Sequence, residues 1–225
     1  MTEAPRIVVF AKAPQAGLAK TRLIPALGAM GAARLARRLL DHALAQALGP
    51  DVGPVELCMS PGPDDAAWQG IALPDKLLRT DQGEGDLGAR MARAVRRVTA
   101  GPHGQPIVLM GTDCPGLTAG IIGEAAAQLA HHDAVMIPVA DGGYVLLGLR
   151  AECPSVFSDM AWSTSIVAAE TQHRLAALGL SVWTGPTLHD IDEPADRVHL
   201  PAGWHFYEQN GFIPASNGHS QLSIP

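Results

Sequence analysis

Between Arg6 and Trp183 the chain alternates short apolar runs with longer stretches in which apolar residues recur every three or four positions. The short runs are Arg6–Ala11, Val55–Ser60, Ile107–Met110, Ala134–Val139, Val145–Leu149 and Leu180–Trp183. Continuous apolar character over four to six residues predicts buried strands, and Lys76–Thr80 is a shorter candidate. The longer stretches predict helices. Gly28–Gly49 carries a stripe of Leu35, Leu39, Leu40, Leu44 and Leu48, with Arg34, Arg37 and Arg38 mostly off it as a solvated face. Leu87–Thr99 places Leu87, Met91, Val95 and Val98 on one face. A third helix covers Ile121–Ala130, and a fourth, capped by Ser163 or Thr164, runs to about Leu178. Short helices are expected over Asp64–Gln69 and from Pro194. Strands alternating with helices predict an α/β fold, a three-layer α/β/α sandwich with a mostly parallel central sheet. The pattern ends near Leu200, so residues 1–200 read as a single domain and 201–225 as an irregular tail packed through Trp204, Phe206 and Tyr207.

Composition narrows the class. In 225 residues, 47% are hydrophobic and 17% charged, which supports a sizeable core and argues against disorder. The net charge of −6 argues against a nucleic-acid partner but leaves room for a small phosphorylated ligand met by a few local cations. Cys58, Cys114 and Cys153 form no closely spaced pair, so neither a zinc knuckle nor a disulfide framework is expected, and a reducing cytoplasmic setting fits. Neither a signal peptide nor a membrane-spanning run is read in the sequence.

The candidate chemistry clusters where strands end. Asp113 follows the Ile107–Met110 strand, and Pro115 stops that strand from continuing. Open α/β sheets bind ligands outside the carboxyl ends of their strands. Asp190 and Asp192 flank Ile191, so an extended segment points both to one face. Three acids from separate loops suit Mg²⁺ or Mn²⁺ holding phosphates. The competing duty for Asp113 and Asp192 is to cap the helix that follows each. His189 adjoins the acids and is assigned a structural or supporting duty. Cys114 is read as a buried spectator thiol.

The loop after the first strand carries Lys12, Lys20 and Arg22. Ala19-Lys20-Thr21 looks like the end of a Walker A motif, but the required glycines are missing and Pro25 falls where the helix should be under way. A Rossmann Gly-x-Gly-x-x-Gly is absent too. The loop can still cradle phosphate, and its alternative is a solvated basic loop. Adjacent glycines in Asp141-Gly-Gly-Tyr144 let backbone lie against a ligand or make a plain β-turn.

Taken in order, five motifs resemble a known family. They are Phe10-Ala-Lys-Ala-Pro14 with Gly17 and Lys20-Thr-Arg-Leu23, the Gln82–Met91 loop, Gly111-Thr-Asp-Cys-Pro115, Asp141-Gly-Gly-Tyr144, and Asp190-Ile-Asp-Glu-Pro-Ala-Asp196. Together they are similar to the bacterial glycosyltransferase-A-like transferases found near radical-SAM and selenium-domain genes. They also resemble guanylyltransferases that build phospholactate- or phosphoenolpyruvate-linked nucleotides and, more distantly, molybdenum-cofactor nucleotidyltransferases. The resemblance implies a nucleotide-diphospho-sugar transferase fold. It implies that Gly17, Lys20 and Arg22 contact donor phosphates, that Ala11 binds the nucleotide, that the loop of Gln82, Gly85 and Gly88 reads its base, and that Asp113, Asp190 and Asp192 hold the metal. Gly142, Gly143 and Tyr144, with Trp162, Ser163 and Thr164, become the acceptor side, with Asp141 as a base. The first loop departs from typical sugar-nucleotide pyrophosphorylases in lacking their denser glycine pattern.

The expected protein is therefore a metal-dependent transferase with a nucleotide donor and a small-molecule acceptor. Glycosyl transfer from a nucleotide-diphosphate sugar is ranked first. Transfer of a nucleoside monophosphate from a triphosphate to a phosphorylated acceptor is second. A non-catalytic nucleotide-binding protein is third, because such a protein would be expected to lose the acids.

Overall fold

The computed structural model describes residues 4–49, 53–100 and 104–204. Phe206 and Tyr207, expected to pack the tail, lie outside them. Strand β1 (Arg6–Lys12) is built on Ile7, Val8 and Val9, all fully buried because helices cover both faces of the sheet. Strands β2 (Val55–Ser60) and β4 (Ile107–Met110) pair with it in parallel on either side. With β3 (Leu78–Asp81), β5 (Ala134–Pro138), β6 (Tyr144–Leu149) and β7 (Val182–Thr184), they form a seven-stranded sheet ordered β3-β2-β1-β4-β6-β5-β7. Only β6 runs antiparallel, to both β4 and β5, because a short turn at Asp141–Gly143 joins it directly to β5. The other six strands open at the same edge.

Helices α1 (Ile24–Ala47) and α3 (Ala119–Gln128) cover one face, where Leu40, Leu44 and Ile122 pack on Ile7, Val9 and Leu57. Helices α2 (Leu87–Thr99) and α4 (Val167–Ala177) cover the other, with Met91, Val95 and Leu175 against Val8 and Ile107. This is the expected α/β/α sandwich. Among the described residues no helix is long and apolar enough to cross a membrane.

Two helix starts differ from the sequence reading. The first helix begins at Ile24, with Pro25 in its opening turn where its missing N–H costs nothing, and is interrupted at Gly28 (φ 68°, ψ 164°). The fourth begins at Val167 without a side-chain cap, because Thr164 Oγ1 turns back to the Ala161 carbonyl (2.7 Å) and Ser163 sits at φ 62°. The short helices are 3-10 turns at Ala66–Trp68 and Pro194–His199. Arg37 pairs with Asp41 one helical turn along, and Arg38 lies over the Trp204 ring at 4.6 Å.

Candidate functional site

A cleft of about 730 Å³ opens along the carboxyl edge of the sheet. The loop after β1 forms one side. Its Lys20 has a left-handed backbone (φ 49°, ψ 48°), a strained conformation for a residue with a Cβ. That turn sends the side chain inward, and it is only 8% exposed. The Nζ donates to the Ile191 carbonyl at 2.7 Å and bridges Asp113 Oδ1 (2.7 Å) and Asp192 Oδ1 (2.6 Å). Burial works to lower the lysine pKa, but the two carboxylates outweigh it and hold the ammonium above its ordinary value.

The acids reach this point by separate routes. Asp113 stands just past β4, and the late loop is stitched to it by Ile191 N–H donating to the Asp113 carbonyl (2.9 Å). Ile191 is fully buried among Leu23, Leu27, Leu35 and Leu39, so its neighbours Asp190 and Asp192 are turned the other way, into the cleft. Asp190 is pushed up to about 6, first by burial and then by the nearby Asp141 and Asp192. The capping alternatives fall away. Thr118 caps α3, and the last 3-10 turn uses Asp196, whose carboxylate accepts from the N–H groups of Asp192 and Glu193.

This corner fits a hard divalent cation in charge and donor type, since it offers carboxylate oxygens around uncompensated negative charge. The residues are not assembled as a cage. Among the described residues no three His, Cys, Asp or Glu side chains are grouped to hold a metal, and the Lys20 ammonium stands between two of the expected ligands. The His189 ring stacks on His199 at 3.7 Å. Burial raises the Cys114 thiol, as suits a spectator.

The nucleotide and acceptor positions divide. Ala11, Arg22, Gln82 and Gly85 line the cleft, as do Asp141, Gly143, Tyr144, Trp162, Ser163 and Thr164. Gly17, Gly88 and Gly142 are not among its lining residues. Gly17 forms an exposed turn at φ 82° with nothing within 4 Å of where a Cβ would stand. At Gly88 an added Cβ would meet the Phe157 carbonyl at 2.5 Å and the Trp162 ring at 2.9 Å, so the missing side chain seats Trp162. Gly142, at φ 91°, lies against the Ser165 backbone with no room for a Cβ, and its carbonyl accepts from Ala168 N–H (2.9 Å) at the start of α4. At both, the backbone is packed too closely to admit a side chain. Gln82 is buried, and its Nε2 donates to the carbonyls of Ala11 (3.2 Å) and Cys58 (2.9 Å). It braces its loop across the ends of β1 and β2.

Asp141 Oδ1 accepts from Gly143 N–H (2.8 Å), which fixes the carboxylate at the cleft rim. The Tyr144 hydroxyl is buried beside Thr171, and burial raises its pKa. The sequence reading missed Arg90, which lines the cleft and donates from Nε to the Gly85 carbonyl (2.9 Å). The available signal was a cation three residues after Leu87, on a helix face that also carries apolar side chains.

The architecture has relatives. A structure from Desulfovibrio desulfuricans G20, described by inference as a nucleotide-diphospho-sugar transferase, is 32% identical, with a TM-score of 0.75 over 85% of this chain and 84% of that one. A CMP:2-keto-3-deoxy-manno-octonic acid synthetase complexed with CTP is 15% identical, with a TM-score of 0.54 over 87% of this chain and 97% of that one. Rv0371c from Mycobacterium tuberculosis H37Rv, in complex with manganese, is 17% identical, with a TM-score of 0.52 over 88% and 97%. The last two are likenesses of fold. No curated protein matches the sequence. Residues 41–164 match the family described as uncharacterized protein conserved in bacteria (DUF2064), and the chain belongs to that family.

Proposed function

We propose that this protein is a metal-dependent transferase that takes a nucleotide-diphosphate sugar as donor and passes the sugar to a small-molecule acceptor. The observation that carries the reading is the convergence of Lys20, Asp113, Asp141, Asp190, Asp192 and Trp162, from five separate loops, on one cleft at the carboxyl edge of the sheet. The description of the Desulfovibrio relative as a nucleotide-diphospho-sugar transferase supports the same chemistry. The manganese in the mycobacterial structure is consistent with a metal on this fold.

In this reading Lys20 and Arg22 neutralise the donor phosphates, and their charges are worth more in a recessed cleft than in water. Asp113, Asp190 and Asp192 would hold Mg²⁺ or Mn²⁺, which when bound offsets charge on the departing nucleoside diphosphate. Asp141, with Oδ1 held by the Gly143 amide, takes the acceptor hydroxyl's proton on its other oxygen. Trp162 and Tyr144 form the wall against which the acceptor lies.

Nucleotidyl transfer is the second reading. Lys12, Lys20, Arg22 and Arg90 all line the cleft, and a triphosphate meeting a phosphorylated acceptor brings more negative charge than a diphosphate sugar.

A thermal-unfolding panel separates the readings. It compares nucleotide-diphosphate sugars with nucleoside triphosphates, each with Mg²⁺, Mn²⁺ or chelator. A ligand at a hundredfold its dissociation constant adds about 2.7 kcal/mol, on the order of 5–10 °C for a chain of this size. Metal-dependent shifts with sugar nucleotides support glycosyl transfer. Shifts confined to triphosphates move the assignment to nucleotidyl transfer. No shift with any nucleotide removes the proposal.

A further inference from the structure

We infer that the Lys20 ammonium is the resting occupant of the cation position between Asp113 and Asp192, and that it swings to the donor phosphates when a divalent ion takes that position. The inference rests on the metal reading above and adds how the unliganded protein treats that position. Three distances carry it: 2.7 Å from Nζ to Asp113 Oδ1, 2.6 Å to Asp192 Oδ1 and 2.7 Å to the Ile191 carbonyl. Those oxygens come from loops more than 70 positions apart in the chain, yet one nitrogen satisfies all three. An ammonium and a divalent ion cannot both stand there. They overlap in space, and their charges repel with the acids shared between them.

Lysine suits the exchange. Its charge is compact, it sits on a flexible four-carbon stem, and it can move several ångströms by rotamer change while the backbone stays fixed. The left-handed backbone at Lys20 keeps that stem aimed into the cleft in either position. Lys20 holds Asp113 and Asp192 together without a metal, and it is released toward the phosphates only as the metal replaces it. Metal and nucleotide therefore help each other bind, and by linkage the help is mutual.

A lysine that merely holds the loops together and one that competes with the metal give opposite results when its charge is removed. The test titrates Mn²⁺ alone, without nucleotide, into wild-type protein and Lys20→Met, Lys20→Gln and Lys20→Arg variants, and reads free Mn²⁺ by electron paramagnetic resonance. Circular dichroism confirms folding, and two neutral variants guard against one failing to fold. The neutral variants should bind Mn²⁺ at least tenfold more tightly than wild type. Lys20→Arg, which keeps the charge, should bind as weakly as wild type. Adding Asp113→Asn to Lys20→Met should remove the gain. If wild type and the neutral variants bind Mn²⁺ equally, or the neutral variants bind more weakly, the inference fails and the metal reading stands. If no variant binds Mn²⁺ at millimolar concentration, the inference and the metal reading fail together.

Discussion

The two walls of the cleft are held by different physics. The wall of Lys20, Asp113 and Asp192 is joined by ion pairs between distant loops, and its carboxylates stay 39–45% exposed. The opposite wall is joined by glycine. Gly142 lies on the Ser165 backbone and Gly88 beneath Trp162, with no room for a side chain at either. Ion pairs can exchange partners when a charged ligand arrives. Packed backbone resists change, because its contacts are lost outright when anything shifts. In the proposed function, the difference assigns adaptability to the side proposed for the donor and a preformed shape to the side proposed for the acceptor.

The sharpest way to break the comparison is Asp113→Asn. Turnover, followed as release of the donor nucleotide, should fall on the order of a thousandfold, comparable to losing a preorganised electrostatic contact. The unfolding temperature should fall only modestly, because Asp113 is half-exposed and caps no helix, and Lys20 keeps Asp192 and the Ile191 carbonyl as partners. Wild-type rates in this variant would remove Asp113 from the site.

Gly142→Ala tests the other wall. It combines a positive φ with a backbone clash and should cost about 3 kcal/mol, read as a lower denaturant midpoint. Unchanged stability would mean that the Ser165 segment yields easily and that the acceptor wall is not preformed.

Lys20→Ala should weaken nucleotide binding about tenfold by calorimetry, the worth of one charged hydrogen bond. Unchanged affinity would leave Lys20 as a bridge between loops rather than a phosphate contact. Gly17→Ala should have the smallest effect, under about 1 kcal/mol on stability, with nucleotide affinity intact, since the turn is open on all sides. A marked loss of affinity there would restore Gly17 as a phosphate contact.

Much of the site was legible because strand ends and periodicity are local. The bounds of α2 follow from its apolar face, and Asp113 follows from where β4 must stop. The alternation about Ile191 placed Asp190 and Asp192 together, since one buried side chain forces its neighbours outward. What was not legible depends on what arrives from elsewhere in the chain. A glycine letter records that something comes close, without naming it, and the Trp162 ring at Gly88 and the Ser165 backbone at Gly142 come from distant positions. Nor does the sequence show that the Gln82 Nε2 donates to two strand-end carbonyls. Lys20 was assigned to phosphate, and nothing local shows that its partner Asp192 lies 172 positions away.

The most direct test of the account is anomalous diffraction from crystals grown with Mn²⁺ and the nucleotide that most raises the unfolding temperature. The account predicts a manganese peak among Asp113, Asp190 and Asp192, with the Lys20 ammonium moved onto a phosphate. A bound nucleotide with Lys20 still bridging Asp113 and Asp192, and no manganese in the cleft, would contradict it.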